Sequence, residues 1–174
     1  MNNQELQTGD IIGTYYTVIK KLSNGAFGHT YLATNAQNLD QNCLIKHLHP
    51  NTSDPNQLQF CQQLFKREAE TLQKLARNNP NIPLLIAYFV ENGEFYLVQE
   101  YIEGHTLTNE LKPGQKLPEE EVIELITELL EIVAYLHNNE VIHRDIKPEN
   151  IMRRSSLTGS KGDLILIDFG AVKK

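Results

Sequence analysis

The chain has 174 residues, of which 40% are hydrophobic and 22% are charged, so it is long enough for one domain with a real core. Its formal net charge of −6 at pH 7 argues against nucleic acid and anionic membrane surfaces as partners, since both favour basic proteins. No apolar run reaches membrane-spanning length, and the polar start MNNQELQTGD lacks a signal-peptide core, so we expect a cytoplasmic protein with no membrane segment.

The first part of the chain has the pattern of an antiparallel sheet with one helix. After a polar tail (residues 1–14), β-branched and aromatic residues predict five strands: YYTVIKKL, HTYLAT, NCLIKHLH, LLIAYFV and FYLVQEYI. A helix is predicted from Pro55 to about Arg77, with Asp54 as its N-cap and NNPNIP as its stop. Cys43 and Cys61 lie in apolar patterns, which predicts two buried thiols.

The second part is predicted to be mainly helical. PEEEVIELITELLEIVAYLHNN begins at Pro118, carries acids in its first turn, and has apolar residues on more than one stripe, as in a helix packed on several sides. DLILIDFG predicts a short buried strand that ends in an acid. We therefore expect a first lobe at residues 15–101 and a second at residues 102–174, with a hinge near residues 101–104.

A glycine pair lies between the first two predicted strands. In LSNGAFGHTY, Gly25 and Gly28 flank Ala26 and Phe27. Glycine lets a backbone approach a ligand closely and direct N–H groups at phosphate oxygens. A plain hairpin turn is the alternative interpretation, and a Rossmann motif is disfavoured because a strand follows the glycines.

A lysine on the third strand and an acid on the helix are predicted to pair. Lys46 lies between leucines, where a lysine commonly extends to solvent. Glu68, however, falls inside the apolar stripe of the helix, where a carboxylate is costly unless it is paired. The stripe consists of Cys61, Phe65, Leu72 and Leu75. Glu70 points away from it, so we expect an ion pair between Lys46 and Glu68.

The segments HRDIKPEN and LILIDFG carry the densest polar chemistry. Asp145 and Asn150 come from one loop, and Asp168 follows a buried strand. Their oxygens suit Mg²⁺, Asp145 can accept a proton from a hydroxyl nucleophile, and Lys147 can neutralise charge on a phosphoryl group. Either segment alone could be a polar turn, but both together, after the glycines and the Lys/Glu pair, favour a reaction centre.

These motifs, in this order, resemble the protein-kinase superfamily, and in particular the bacterial, eukaryotic-type Ser/Thr kinases of the cyanobacterial kind. The resemblance runs from about Tyr15 to the last residue. It implies an α+β, protein-kinase-like fold, with a five-stranded antiparallel N-lobe, one αC-type helix and an incomplete, mainly helical C-lobe. It also implies transfer of the γ-phosphoryl group of ATP, with Mg²⁺, to a Ser or Thr hydroxyl of a protein substrate.

The resemblance further implies nucleotide-binding residues. Lys46 would hold the α- and β-phosphates and pair with Glu68, and Gln99 would lie beside the adenine. Glu100 and Ile102 would bind the adenine through their backbones. The implied nucleotide-binding set is Leu22, Ser23, Gly25, Gly28, Thr30, Lys46, Glu100 and Ile102.

The same resemblance assigns roles around the catalytic loop. Asp145 would be the catalytic base, and Lys147, two residues later, fits the Ser/Thr-specific pattern. Asn150 and Asp168 would be the Mg²⁺ ligands. An apolar column would contain Leu72, His143 and Phe169.

Three features depart from the family pattern. Ser23 takes the place of the first loop glycine, and Leu44 replaces a small residue over the adenine. The chain stops at DFGAVKK, before an activation segment and A-P-E element. We therefore expect the N-terminal portion of a kinase domain, with weak phosphorylation on its own, apolar surface exposed on the long helix, and further domains or a partner that complete the C-lobe.

Two other functions remain open from the sequence. The chain could be a truncated, non-catalytic nucleotide-binding or interaction module. It could also be a small-molecule kinase related to the aminoglycoside phosphotransferases, although HRDIKPEN followed by DFG matches protein kinases better.

Overall fold

Residues 5–25, 28–110, 114, 116–156, 158 and 161–173 are described by a computed structural model of the chain. They group into two units. The first contains Met1–Glu70 and Leu84–Tyr101, and the second contains Thr71–Pro83 and Ile102–Lys174.

An antiparallel sheet forms most of the first unit, in the order β1-β2-β3-β4-β6-β5. Its strands are β1 (Ile11–Ile12), β2 (Tyr16–Gly25), β3 (Gly28–Asn35), β4 (Gln41–Leu48), β5 (Leu85–Glu91) and β6 (Glu94–Glu100). Strands β2 to β6 are the five predicted ones. The sixth, β1, was not predicted, because its two residues pair only with Thr17 and Tyr16 and are too few to show a strand pattern.

One long helix, α1 (Pro55–Leu75), follows β4. The predicted N-cap forms, since Asp54 Oδ1 accepts a hydrogen bond of 2.9 Å from the Asn56 N–H. The helix ends at Leu75 and continues as a short 3₁₀ turn over Ala76–Asn78, close to the predicted end. From Thr71 onward its residues group with the second unit.

Strand β4 separates two faces of the sheet. Cys43, Ile45 and His47 are buried, whereas Leu44 and Lys46 between them are only half-buried. The core on the buried face consists of Ile12, Tyr16, Val18, Tyr31, Ala33, Cys43, Ile45, Tyr96 and Val98. Both cysteines are buried and free, as predicted, and burial raises the pKa of the Cys43 thiol to about 11.

The second unit combines helices with a small antiparallel sheet. The helices are α2 (Leu107–Glu110) and α3 (Glu119–Asn138), and the strands are β7 (Gly104–Thr106), β8 (Ile151–Arg154) and β9 (Leu164–Leu166), in the order β7-β8-β9. Strand β9 is the predicted buried strand. Strands β7 and β8 were not predicted, since three or four residues carry too little alternation to indicate a strand.

Helix α3 buries only one side. Ile132 and Leu136 are its buried residues, whereas Ile123 is 57% and Leu130 60% exposed. The prediction of packing on several sides was therefore wrong, while the expected apolar exposure on this helix is present. In the described ranges, no helix combines the length and apolar character that crossing a bilayer requires.

A buried arginine connects the small sheet to α2. Arg153 of β8 is 6% exposed, and its Nε donates to Glu110 Oε1 at 2.8 Å and Oε2 at 3.1 Å. Its Nη1 also donates to the Gly162 carbonyl at 3.0 Å. Glu128 of α3 accepts a 2.5 Å hydrogen bond from the Leu164 N–H. The buried charge is thus paired, which is the condition for tolerating it.

The two glycines of the β2–β3 hairpin predict unequal effects of substitution. A Cβ at Gly28, where φ is +155°, would lie 2.0 Å from the His47 carbonyl oxygen, whereas one at Gly25 would approach no described atom closer than 3.5 Å. We expect Gly28→Ala to lower the free energy of unfolding by about 3 kcal/mol, because backbone must shift. Gly25→Ala, the matched control, should change it by less than about 1 kcal/mol. Urea unfolding measures both, and equal losses would contradict this packing.

Candidate functional site

The glycine hairpin is the first predicted site element. Strand β2 ends at Gly25 and β3 begins at Gly28, and these two residues pair across the hairpin. Ala26 and Phe27, between them, lie outside the described residues. Gly28 is explained by its close approach to β4, but no described atom of the chain requires Gly25 to lack a side chain. That position therefore leaves room for a ligand near its backbone.

Three predicted nucleotide-binding residues lie in one row across the sheet. Ser23 is paired with Thr30, and Thr30 is paired with Lys46. Directly opposed residues on neighbouring strands share a face, so the three side chains line the face opposite the core. Leu22 falls at a register irregularity between Lys21 and Ser23 and is 41% exposed.

The predicted ion pair between β4 and α1 is present. Lys46 Nζ lies 2.5 Å from Glu68 Oε1, with side-chain exposures of 18% and 5%. The stripe that predicted it is also buried: Cys61, Phe65, Leu72 and Leu75 are each 7% exposed or less. Because a carboxylate at this depth is destabilising without a partner, Lys46 is what allows Glu68 to occupy the stripe.

The residues predicted to lie beside the adenine fall in different units. Glu100 ends β6, where its N–H donates to the Leu84 carbonyl at 2.8 Å. Its Oε2 accepts from the Leu84 N–H at 3.2 Å. Gln99 is buried and lies opposite Leu44 on β4. Ile102 belongs to the second unit and is 3% exposed.

In the second unit, hydrogen bonds tie the loop after α3 to the chain after β9. Ile142 and Lys173 exchange backbone hydrogen bonds of 2.9 and 3.0 Å, and the Ile167 N–H donates to the Asn150 carbonyl at 2.9 Å. Arg144 Nε donates to the Ala171 carbonyl at 2.8 Å. The loop that carries Asp145 and the turn that carries Asp168 are therefore fixed to each other.

A buried histidine orients the start of this loop. His143 is 2% exposed, and its Nδ1 accepts a hydrogen bond of 3.4 Å from the Asp145 N–H. The ring proton is then on Nε2, which donates to the Ile167 carbonyl at 3.2 Å. The ring packs edge-on against Phe169, with centroids 4.9 Å apart. This is the predicted contact, and Leu72, the third member of the predicted column, is buried as well.

Two non-glycine residues near these contacts have left-handed backbones. Arg144 has φ of +67° and Asp168 has φ of +65°. Such conformations cost about 1–3 kcal/mol each and persist where surrounding contacts impose them. Here the hydrogen bond from Arg144 to Ala171 and the buried Phe169 provide those contacts.

The carboxylate of Asp145 is held by two donors. Asn150 Nδ2 donates to Asp145 Oδ2 at 2.8 Å and to the Asp145 carbonyl at 2.9 Å, and Lys147 Nζ donates to Oδ2 at 2.8 Å. The Lys147 hydrogen bond is the main cause that lowers the pKa of Asp145, with a smaller contribution from Asn150. The same contact raises the pKa of Lys147. Asp145 is therefore ionised at neutral pH.

The oxygens of this group fit a hard divalent cation. The negative charge of Asp168 partly opposes this lowering of the Asp145 pKa, because two like charges repel each other. Asn150 uses its amide nitrogen on Asp145, which leaves Oδ1 as the amide's oxygen ligand. Carboxylate and amide oxygens are the ligands that Mg²⁺ takes, and a cation would relieve the repulsion.

Sequence reasoning missed the role of Arg144 in this arrangement. The arginine was noted only as part of a motif, whereas its Nε holds the Ala171 carbonyl across 27 residues of sequence. No local pattern indicates that contact, because it depends on how the chain after β9 returns to the loop.

Comparison with known proteins gives the class of this chain. It matches the protein kinase domain family over residues 16–174, and it therefore belongs to that family. The solved structure titled PpkA-294 apo form superposes with a TM-score of 0.78 at 23% identity, covering 96% of this chain and 62% of that chain. The predicted protein-kinase-like α+β fold is thus confirmed, with six strands in the first sheet where five were expected.

The chain is also similar to curated bacterial kinases. It is 45% identical over 159 residues to serine/threonine-protein kinase B of Synechocystis sp., covering 91% of this chain and 27% of that protein. It is 42% identical over 165 residues to serine/threonine-protein kinase PknA of Nostoc sp., covering 94% and 28%. The predicted resemblance to bacterial Ser/Thr kinases is confirmed. The chain spans less than a third of the length of these two relatives.

Removing the acid of the ion pair should destabilise the first unit. We expect Glu68→Gln to lower the free energy of unfolding by about 1–3 kcal/mol, because it leaves the Lys46 ammonium without its carboxylate. Glu70→Gln is the matched control, since Glu70 lies on the same helix in an exposed pair with Lys66 at 3.9 Å. It should change stability by less than about 0.5 kcal/mol.

The pairing itself is tested by exchanging the charges. Urea unfolding measures the free energy of unfolding of Lys46→Glu, Glu68→Lys and the double variant. We expect the double variant to lose less free energy than the two single variants lose together. A double variant that only adds the two losses would argue against the pair as a stabilising contact.

Proposed function

We propose that this chain is the nucleotide-binding and catalytic-loop portion of a serine/threonine protein kinase. It transfers the γ-phosphoryl group of ATP to a Ser or Thr hydroxyl of a protein substrate, with Mg²⁺. The observation that carries the proposal is the group formed by Asp145, Lys147 and Asn150, with the charge of Asp168 acting on it. Family membership supports the reaction class, and the relatives' names support Ser and Thr as acceptors.

Asp145 acts as the base in the proposed reaction. The substrate hydroxyl oxygen forms a bond to the γ-phosphorus as the bond from that phosphorus to the departing ADP oxygen breaks. The hydroxyl proton passes to Asp145, which is ready to accept it because Lys147 and Asn150 keep it ionised and oriented. The positive charge of Lys147 also offsets negative charge on the transferring group.

Asn150 and Asp168 are the proposed Mg²⁺ ligands. Bound Mg²⁺ supplies positive charge to the phosphate oxygens during transfer. The residues' own contribution is to fix two oxygen ligands: Asn150 by its two hydrogen bonds to Asp145, and Asp168 by its position at the start of the Phe169–Ala171 turn. The identity of the cation as Mg²⁺ is part of the proposal.

The proposed nucleotide contacts in the first unit follow from the row across its sheet. Lys46 takes the α- and β-phosphates, oriented by Glu68 at 2.5 Å. Gly25 and Gly28, with Leu22, Ser23 and Thr30, cover the phosphates from the same face of the sheet. The carbonyl of Glu100 is proposed for the adenine because its N–H is engaged by Leu84, and the backbone of Ile102 is proposed for it as well.

A non-catalytic module is not favoured, because the relatives that match along nearly the whole chain are named as kinases. Those relatives are more than three times as long as the matched region. We therefore also propose a protein substrate, and further domains or a partner that complete the C-lobe.

Loss of the proposed base should abolish phosphoryl transfer. With radiolabelled ATP, Mg²⁺ and a generic basic protein, we expect Asp145→Asn to lower kcat about 10²- to 10⁴-fold, because the amide cannot accept the proton. Glu149→Gln is the matched control, since it removes an exposed acid of the same loop without touching Asp145, and it should retain the unmodified chain's rate. Label transfer that exceeds an enzyme-free blank and is equal in Asp145→Asn and the unmodified chain would refute the assignment.

Nucleotide binding gives a readout that does not require turnover. ATP with Mg²⁺ should raise the Tm of the unmodified chain more than ATP with a chelator does, because the cation bridges protein and phosphates. Asp168→Asn should lose the Mg²⁺-dependent part of that increase, and Glu149→Gln should keep it. An identical Mg²⁺ effect in Asp168→Asn would remove that residue from the metal site, and no nucleotide effect on the unmodified chain would count against the whole proposal.

A further inference from the structure

Two histidines and a glutamate meet at one end of the first unit's sheet. His47 is near the end of β4, His49 follows that strand, and Glu94 begins β6. One ligand atom from each, a ring nitrogen or a carboxylate oxygen, lies within 4.8 Å of the others. None of these three residues takes part in the function proposed above.

Strand geometry brings the three side chains to one face. His47 is directly opposite Tyr96 on β6, and Glu94 is two residues before Tyr96, so alternation places its side chain beside His47. His49, two residues after His47, continues along the same face. The Tyr96 ring stacks on the His47 ring at a centroid distance of 4.8 Å and holds it in place. Since Lys46 points to the opposite face of β4, this cluster shares no side chain with the proposed nucleotide contacts.

The buried histidine has a ring nitrogen without a hydrogen-bond partner. His47 is 3% exposed, its Nε2 lies 3.1 Å from Glu94 Oε2, and its Nδ1 has no partner among the described residues. Buried polar atoms are nearly always paired, so an unpaired one calls for an explanation.

A second unpaired imidazole nitrogen lies next to the group. His29 on β3 is directly opposite His47, and its ring stacks on that of His49 with centroids 5.1 Å apart. Its Nδ1 is buried and has no hydrogen-bond partner in the described part of the chain. Three imidazoles and a carboxylate thus crowd one end of the sheet, a concentration of metal-binding groups that apolar packing does not require.

We propose that His47, His49 and Glu94 form a Zn²⁺ site. Two imidazoles and one carboxylate are a ligand set that Zn²⁺ uses with a fourth position open to water, whereas Mg²⁺ avoids imidazole. Zinc–ligand distances of about 2.0–2.2 Å require these atoms to move closer than 4.8 Å. The half-buried side chains of His49 and Glu94 can rotate to do so.

Bound Zn²⁺ would connect the end of β4 to the start of β6. Those strands carry Lys46 and Glu100, respectively, so the site would stabilise the sheet that positions the nucleotide contacts without joining the reaction. This inference does not depend on the proposed kinase activity, because its test measures metal binding alone.

The experiment measures Zn²⁺ binding to the whole chain in excess Mg²⁺, by competition with a chromophoric chelator. We expect one Zn²⁺ per chain, and visible absorption typical of tetrahedral Co²⁺ when Co²⁺ replaces it. His49→Gln and Glu94→Gln should each weaken binding by about 10-fold or more. Glu94→Gln is informative because glutamine can keep the hydrogen bond to His47 while losing the charge that attracts a cation.

His105→Gln is the matched control, since His105 forms a His–carboxylate pair with Glu110 at 3.8 Å and belongs to the second unit. It should bind Zn²⁺ as the unmodified chain does, and circular dichroism should show all variants folded. The proposal is overturned if the unmodified chain binds no Zn²⁺, if His49→Gln and Glu94→Gln bind it unchanged, or if His105→Gln loses it equally. In the first case the His47–Glu94 contact is a structural hydrogen bond only.

Discussion

The arrangement of the first unit depends on a buried carboxylate that needs an ion-pair partner. Glu68 is 5% exposed at its side chain, and removing an ion of this kind from water without compensation costs several kcal/mol. Lys46 supplies the compensation from β4. Because Glu68 lies on the same stripe as Cys61 and Phe65, the pair also fixes which side of α1 faces the sheet. One polar contact therefore sets both the helix rotation and the position of the lysine.

The second unit uses charge in the opposite way. The Asp145 side chain is 37% exposed, so water can solvate its charge. Unlike Glu68, it does not need a protein partner in order to stay charged. Its two donors instead fix its direction and keep it ionised. A buried, paired carboxylate is suited to holding a neighbouring side chain in position. An exposed carboxylate with fixed donors is suited to accepting a proton from a substrate. The proposed roles of Glu68 and Asp145 therefore differ in the same way as their burial.

Much of this could be read from the sequence, where local periodicity carries the information. The five longer strands, α1 with its Asp54 cap, and the Lys46–Glu68 contact all follow from alternation, a capping pattern, or a charge inside an apolar stripe. Strands β1, β7 and β8 are too short to show a period. The apolar pattern of α3 predicted burial on several sides, because periodicity reports which residues could be buried and not which surfaces cover them.

The contacts that the sequence could not indicate are those set by register between distant segments. Arg144 reaches Ala171 only because β9 and the loop that carries Asp145 are held side by side. His47 meets Glu94 only because β4 pairs with β6 in the register that opposes His47 to Tyr96. A shift of one residue would turn Glu94 to the other face. Pattern analysis therefore finds groups that lie close along the chain and misses groups that only the sheet brings together.

The two groups proposed to bind cations differ in the chemistry of their ligands. Asn150 and Asp168 offer oxygens only, which suit a hard ion that keeps phosphate and water in its coordination shell. His47 and His49 offer imidazole nitrogens, which favour ions later in the first transition series. The type of ligand, and not the position of each group in the fold, would thus decide which of the two cations each group binds. Because the histidine group lies on the core face of β4 and Lys46 on the other, each group can bind its cation without sharing a side chain with the other.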